Sequence, residues 1–188
     1  MTGLNPESDC LVEVAVVITN SELEILDPGF EVVIKPRPES WANMNDFVRN
    51  MHTESGLIND VENGVELAEA ETQILDYIKQ FVPNAKEAPL AGNTIGTDRM
   101  FLNKYMPALD QHLHYRNIDV SSIKELTRRW FPRVYFQLPK KEGGHRALAD
   151  ILESIQELRY YRETVMVAAP GPSTDEAKAA AQNVKSIN

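Results

Sequence analysis

The stretch MTGLNPESDCLVEVAVVIT, residues 1–19, decides how the rest of the chain is read. Thr2 to Pro6 is a run of turn formers, and Cys10 to Thr19 follows as a nearly unbroken apolar, β-branched segment whose single charge is Glu13. Such a run reads as a strand buried on both faces. A turn leading directly into it reads as a turn that joins two elements, so a further strand is expected upstream of Met1. Working outward, GFEVVIKP at 29–36 is a second strand. NSELEILDPG at 20–29 holds a short third strand or a hairpin turn, punctuated by Asp27-Pro28-Gly29. These segments make an antiparallel meander.

Beyond the meander, Leu67, Ile74, Leu75, Ile78, Phe81 and Val82 fall at helical spacing, so an amphipathic helix is expected over 65–82, stopped by Pro83-Asn84. APLAGN at 88–93 reads as a short buried strand, followed by a helix from about Asp98 to Tyr105 with Thr97 as N-cap. YRNIDV at 115–120 is another strand, and Ser122-Ile-Lys-Glu125 has the capping-box pattern of a helix running to Phe131. Leu148, Ile151, Leu152, Ile155 and Leu158 form one apolar stripe on a long helix from Ala147 to Arg162. A meander followed by strand-helix units implies an α/β fold, a mixed sheet flanked by helices. After Val167 the chain becomes rich in Ala, Pro and small polar residues, so 167–188 is expected as a disordered tail behind a domain at 1–166.

Composition narrows the function. With 43% hydrophobic and 25% charged residues the 188-residue chain is that of an ordinary globular protein. No apolar run reaches the ~18 residues of a membrane span. The N-terminus lacks the basic and apolar blocks of a signal peptide, and the lone Cys10 has no internal disulfide partner, which together favour the cytoplasm. A formal charge of −9 excludes a protein that tracks along extended nucleic acid, but not one whose substrate carries one or two phosphates.

The chemistry concentrates in two segments. In GGHRALADILESIQELRYYR, residues 143–162, His145 and Asp150 would stand ~140° apart on a regular helix at ~100° per residue, so both face one site only if one leaves the helix. Gly143 and Gly144 allow His145 to sit on a flexible loop ahead of the first turn. In GNTIGTDRMFL, residues 92–102, Asp98 opens a helix just after a strand. Taken singly, His145 reads as a helix cap, Asp150 as a solvated carboxylate and Asp98 as a residue favoured by the helix dipole. Taken together, two carboxylates and a loop histidine beside a sheet are what a divalent cation and a general base require.

These segments, with MTGL at 1–4, HTESGL at 52–57, AGNTIGTDRMFLNKYMP at 91–107 and HYRNIDVSSIKELTRRW at 114–130, closely resemble the oligoribonuclease family of DEDDh 3′→5′ exonucleases, from Met1 to about Arg162. The resemblance implies an RNase H-like fold and hydrolysis of dinucleotides and other short oligoribonucleotides to mononucleotides. Through it, Asp98 and Asp150 match two of four carboxylates that hold two divalent cations, Mg²⁺ or Mn²⁺, and His145 matches the base that deprotonates the attacking water. Leu4 and Phe47 match the residues that wedge and stack the two bases, with Phe47 where Trp is usual. His52, Thr94, Arg116 and Ser121 match the groups that grip a 5′ phosphate, with Thr94 where Ser is usual. Tyr115 matches a residue that enters the neighbouring subunit's site, which implies a homodimer. Without the resemblance, Phe47 and Tyr115 would read as ordinary core aromatics. Ala149 stands where an Asp is common in the family.

The family's remaining ligands form an Asp-x-Glu pair immediately before Met-Thr-Gly-Leu, on the first central strand, which is absent from the sequence as it stands. The expectation is a natural protein that starts further upstream. The alternative is a catalytically dead relative that binds short oligonucleotides. Other DEDDh exonucleases, such as proofreading subunits, fit the HTESGL and HYRNIDVSS blocks less well.

Overall fold

The computed structural model describes residues 1–140 and 145–185, so the expectation for Gly143 and Gly144 lies outside the described residues. Strands β1 (Glu13–Val16) and β2 (Phe30–Val33) pair antiparallel, with Glu13 opposite Val33 and Val16 opposite Phe30. The expected third strand is a single bridge between Thr19 and Ile25 that closes the hairpin. Cys10, Leu11 and Val12 are all buried, which explains why the apolar pattern is continuous: Leu11 joins the main core while Cys10 and Val12 join a second cluster with Leu57 and Val61.

Three short helices that the periodicity did not reveal follow: α1 (Pro38–Ala42), α2 (Asp46–Glu54) and α3 (Leu57–Asp60). Their signals are local. Pro38 occupies the first turn of α1, and the Asn45 side chain caps α2 by accepting from Val48 N at 2.9 Å. Helix α4 (Leu67–Phe81) buries Ala70, Ile74 and Ile78 against β2 and the next helices, as its 3.6-residue spacing predicts. Burial of each such isoleucine contributes about 1.5–3 kcal/mol.

Strand β3 (Pro89–Gly92) leads into α5 (Ile95–Tyr105), then α6 (Pro107–His112), and β4 (His114–Asp119) returns parallel to β3. The expected mixture of antiparallel and parallel pairing is present, divided between two two-stranded ladders. Helix α5 starts three residues before the expected Asp98. Thr94 takes the N-cap place in the left-handed region (φ 53°), and Thr97, expected as the cap, donates its N–H to Thr94 O within the first turn.

Helix α7 (Val120–Trp130) is capped by Asp119, not by the expected Ser122. Asp119 accepts from Ser121 N at 3.3 Å and from Ser122 Oγ at 2.5 Å, while Glu125 turns to Arg128 and Arg129. Short α8 (Pro132–Tyr135) follows. In α9 (Ala147–Thr164) the apolar stripe is only half-buried, and the most buried face is Ser154, Glu157 and Tyr161. Helix α10 (Thr174–Lys185) stands in the segment expected to be disordered. Its residues through Val184 are exposed, so the good helix-forming run around Ala179–Ala181, not packing, accounts for it.

Helix α9 touches β1, β2 and β3, and its first turn is fixed by Glu13. This strand carboxylate, only 8% exposed, accepts from Arg146 Nε at 2.7 Å and from Ala147 N at 2.8 Å; Arg146 also reaches Asp60 at 2.9 Å. The single charge in an otherwise apolar strand is therefore the cap of a distant helix. Replacing it by Ala strands a guanidinium and a helix N–H. Glu13→Ala is expected to destabilise the fold by about 2–3 kcal/mol, and Glu13→Gln by less because its carbonyl still accepts from Ala147, read as urea midpoints at unchanged slope.

Candidate active site

The site forms where three chain segments converge: the β3–α5 junction, the β4–α7 junction and the start of α9. Asn93 joins them. Its Nδ2 donates to Ser154 Oγ at 2.9 Å and, more weakly, to Glu157 Oε2 at 3.4 Å, while its Oδ1 accepts from Ser121 Oγ at 3.2 Å. Ser154 in turn donates to the carbonyl of Asp150, one turn earlier on α9, at 2.8 Å. Asp98, in the first turn of α5, and Asp150, in the first turn of α9, are thus carried by helices tied together beside the sheet.

Asp98 is half-buried, and burial holds its carboxyl above the usual range; its own backbone N–H and the Met1 ammonium act in the opposite sense. Asp150 is exposed. His145 directly precedes the docked turn of α9, exposed and with φ 48°, a left-handed conformation uncommon for a residue with a Cβ. Among the described residues no group of three or more His, Cys, Asp or Glu gathers in a geometry that would hold a metal by itself.

Of the residues expected at the phosphate, Thr94 and Ser121 are in direct contact. Thr94 N donates to Ser121 Oγ at 2.9 Å and the two hydroxyls lie 3.2 Å apart. Arg116 and Tyr115 stand together on β4, the guanidinium 5.4 Å from the ring centroid. The ladder explains their exposure. Pro89 pairs with His114 but Leu90 pairs with Asn117, so Tyr115 and Arg116 bulge out of register with β3 and point away from it. Tyr115 is 74% exposed, stacked on His114, and Phe47 and Leu4 are 78% and 72% exposed. The alternative of ordinary core aromatics is thereby overturned for Phe47 and Tyr115.

His52 is turned inward, 3% exposed, with Nε2 2.9 Å from Met1 O. A carbonyl only accepts, so Nε2 carries the proton and Nδ1 is the bare nitrogen. That nitrogen is buried and has no hydrogen-bond partner. Burial accordingly pushes the imidazole below its ordinary value of 6.5, with the bond to Met1 acting against the shift.

Asn93, Ser154, Glu157 and Arg146 were not singled out by the sequence reading, and Glu13 stood out only as the single charge of its strand. Ser154, Glu157 and Tyr161 did carry a signal, since they repeat at helical spacing beside the apolar stripe. Glu157 is fully engaged, accepting also from Lys124 at 3.2 Å and Tyr161 at 3.0 Å.

The RNase T exonuclease family profile matches residues 1–158. A protein of Leifsonia xyli subsp. xyli named oligoribonuclease is 65% identical over 184 residues, spanning 98% of this chain and 89% of the relative. Proteins of the same name from Cutibacterium acnes and Streptomyces coelicolor are 58% and 54% identical, spanning 93% and 96% of this chain and 86% and 90% of theirs. The chain belongs to this exonuclease family.

The His52 geometry sets a pH dependence. Its folded value lies below the unfolded one, so its contribution to stability is present above about pH 6.5 and is lost as pH falls from there through the folded value. Unfolding free energies measured across that window are expected to fall on the acid side, with a smaller slope in His52→Gln, whose amide still donates to Met1 O without titrating.

Proposed function

We propose that this chain removes mononucleotides from very short RNAs, 5′-phosphorylated dinucleotides above all, using divalent cations held at Asp98 and Asp150. The family and relatives of 54–65% identity make it a 3′→5′ exoribonuclease, a phosphodiester hydrolase. Their shared enzyme name speaks against the dead-relative alternative. The observation that carries the substrate reading is the Thr94–Ser121 pair. Two hydroxyls in contact, with Arg116 on the adjoining strand, make a polar end to the site suited to a single phosphate.

Exonucleases of this family depend on divalent metal. The residues present fit this: Asp98 is a carboxylate kept above its usual range by burial, and Mg²⁺ is commonly held by one or two carboxylates with substrate phosphate and water completing its shell. Two such ions, Mg²⁺ or Mn²⁺, held by Asp98 and Asp150 would make the attacking water more acidic and stabilise charge at the phosphorus. The chain's own groups do the rest. His145 takes the proton from the attacking water, as imidazoles commonly do in general-base catalysis. Thr94 and Arg116, with Ser121 supporting Thr94 from behind and His52 joining once it turns toward the substrate, grip the 5′ phosphate. Leu4 and Phe47, both open to solvent, wedge and stack the bases.

The exposed Tyr115 supports a homodimer in which it reaches the partner's site, and Trp130 and Phe131, exposed at the end of α7, support a shared apolar surface. The catalytic domain spans 1–166, since α9 ends at Thr164, with 167–188 as a tail outside it. No described helix is long and apolar enough to cross a membrane. The lone, buried Cys10 supports a cytoplasmic location.

With Mg²⁺ and a 5′-phosphorylated diribonucleotide, the full-length protein is expected to yield mononucleotides. His145→Ala should lower kcat roughly 10²–10⁴-fold and Asp150→Ala should abolish turnover, measured by chromatography of the products. Failure of the native protein to cut any two-residue RNA refutes the assignment.

A further inference from the structure

Ser121 has one hydroxyl proton and three polar neighbours. Thr94 N–H donates to its oxygen at 2.9 Å, so that contact does not use the proton. Asn93 Oδ1, at 3.2 Å, can only accept, provided the amide is oriented as placed. Two neighbours fix that orientation. Ser154 already spends its proton on Asp150 O, so it can only accept from Asn93, and Glu157 is a carboxylate. The amide therefore presents N–H to α9 and oxygen to Ser121. Ser121's proton is committed to Asn93, so in the 3.2 Å contact between the two hydroxyls Thr94 is the donor, and its proton is the one that can rotate outward.

The backbone supports the same account. Thr94 is β-branched and held at φ 53°, ψ 32°, a conformation that persists only where its surroundings impose it. The bond from its N–H to Ser121 Oγ imposes it here, and that oxygen is oriented by Asn93.

We propose that Asn93 is a positioning residue for 5′-phosphate recognition: by accepting Ser121's only hydroxyl proton it holds the Thr94 turn and makes Thr94 the donor of the hydroxyl pair, whose proton turns from Ser121 to the phosphate when one binds, while its N–H group anchors the same turn to α9. This rests on the phosphate reading above and goes beyond it, because Asn93 itself does not touch the substrate. The same amide makes the phosphate end and the Asp150 helix one unit, so the distance between them is fixed.

The test measures affinity with a chelator present, by calorimetry, for one diribonucleotide with a 5′ phosphate and the same dinucleotide with a 5′ hydroxyl. The ratio of the two dissociation constants reports phosphate recognition independently of hydrolysis. In Asn93→Ala the native preference for the phosphorylated form is expected to fall about tenfold or more, the weight of a hydrogen bond to a charged group, with no further fall when Ser121→Ala is added. Asn93→Asp keeps an acceptor for Ser121 but sets a carboxylate against Ser154 and Glu157. It should retain most of the ratio while lowering kcat on both substrates. A merely structural role would move both affinities together and leave the ratio unchanged. A native preference that survives in folded Asn93→Ala overturns this inference and spares the phosphate reading. A native protein that binds both dinucleotides equally overturns the two together. Should Asn93→Ala not fold, Asn93→Asp decides: ratio kept supports the inference, ratio lost refutes it.

Discussion

Helix α9 is held by polar contacts, and the arrangement of the site depends on them. Its apolar stripe is half-buried and could slide along the sheet at small cost, because apolar contact has no direction. Glu13 fixes the end of the helix and Asn93 fixes its second turn. Two directional contacts about two turns apart define both the position and the rotation of a helix. They thereby aim Asp150 and set where His145 leaves the first turn.

Buried polar groups are favourable only when every lone pair and proton finds a partner. The face of α9 that carries Ser154, Glu157 and Tyr161 meets that condition. Glu157 accepts from Lys124, Tyr161 and Asn93, and burial with the bond to Glu157 holds the Tyr161 hydroxyl well above its ordinary value. Among the described residues His52 departs from it, with a buried ring nitrogen left unsatisfied. The core proper is separate and apolar: Ile74, Phe101 and Met106 pack beneath the β1–β2 ladder, without any part in the site. Stability and chemistry thus reside in different layers, joined through α9.

What the sequence made legible follows from which forces have a period. Strands around Cys10–Thr19, Gly29–Pro36 and Ala88–Asn93 show as apolar runs, and the helix of Ile74 and Ile78 and the long helix from Ala147 repeat their apolar residues at helical spacing. Helices α1 to α3 are too short to show a period, and their caps are single residues. The Asp119 cap outcompeted Ser122 because a carboxylate at the strand's last position reaches both Ser121 N and Ser122 Oγ. The bulge at Tyr115 and Arg116 has no local signature, since register depends on the strand opposite. For the site, the resemblance indicated which residues matter. It gave no account of Glu13 and Asn93, whose partners lie more than 130 and 60 positions away.

The bulge in β4 separates two kinds of evolutionary freedom. Tyr115 and Arg116 carry no ladder pairing of their own, so substitutions there can change the chemistry presented to solvent without disturbing β3. Chain length at the same place is constrained. Removing one residue would slide Asn117–Asp119 by one step against Leu90–Gly92, invert their faces and move the Asp119 cap off α7. The scaffold therefore holds the length of this segment, while the identities of Tyr115 and Arg116 answer to recognition and not to the ladder.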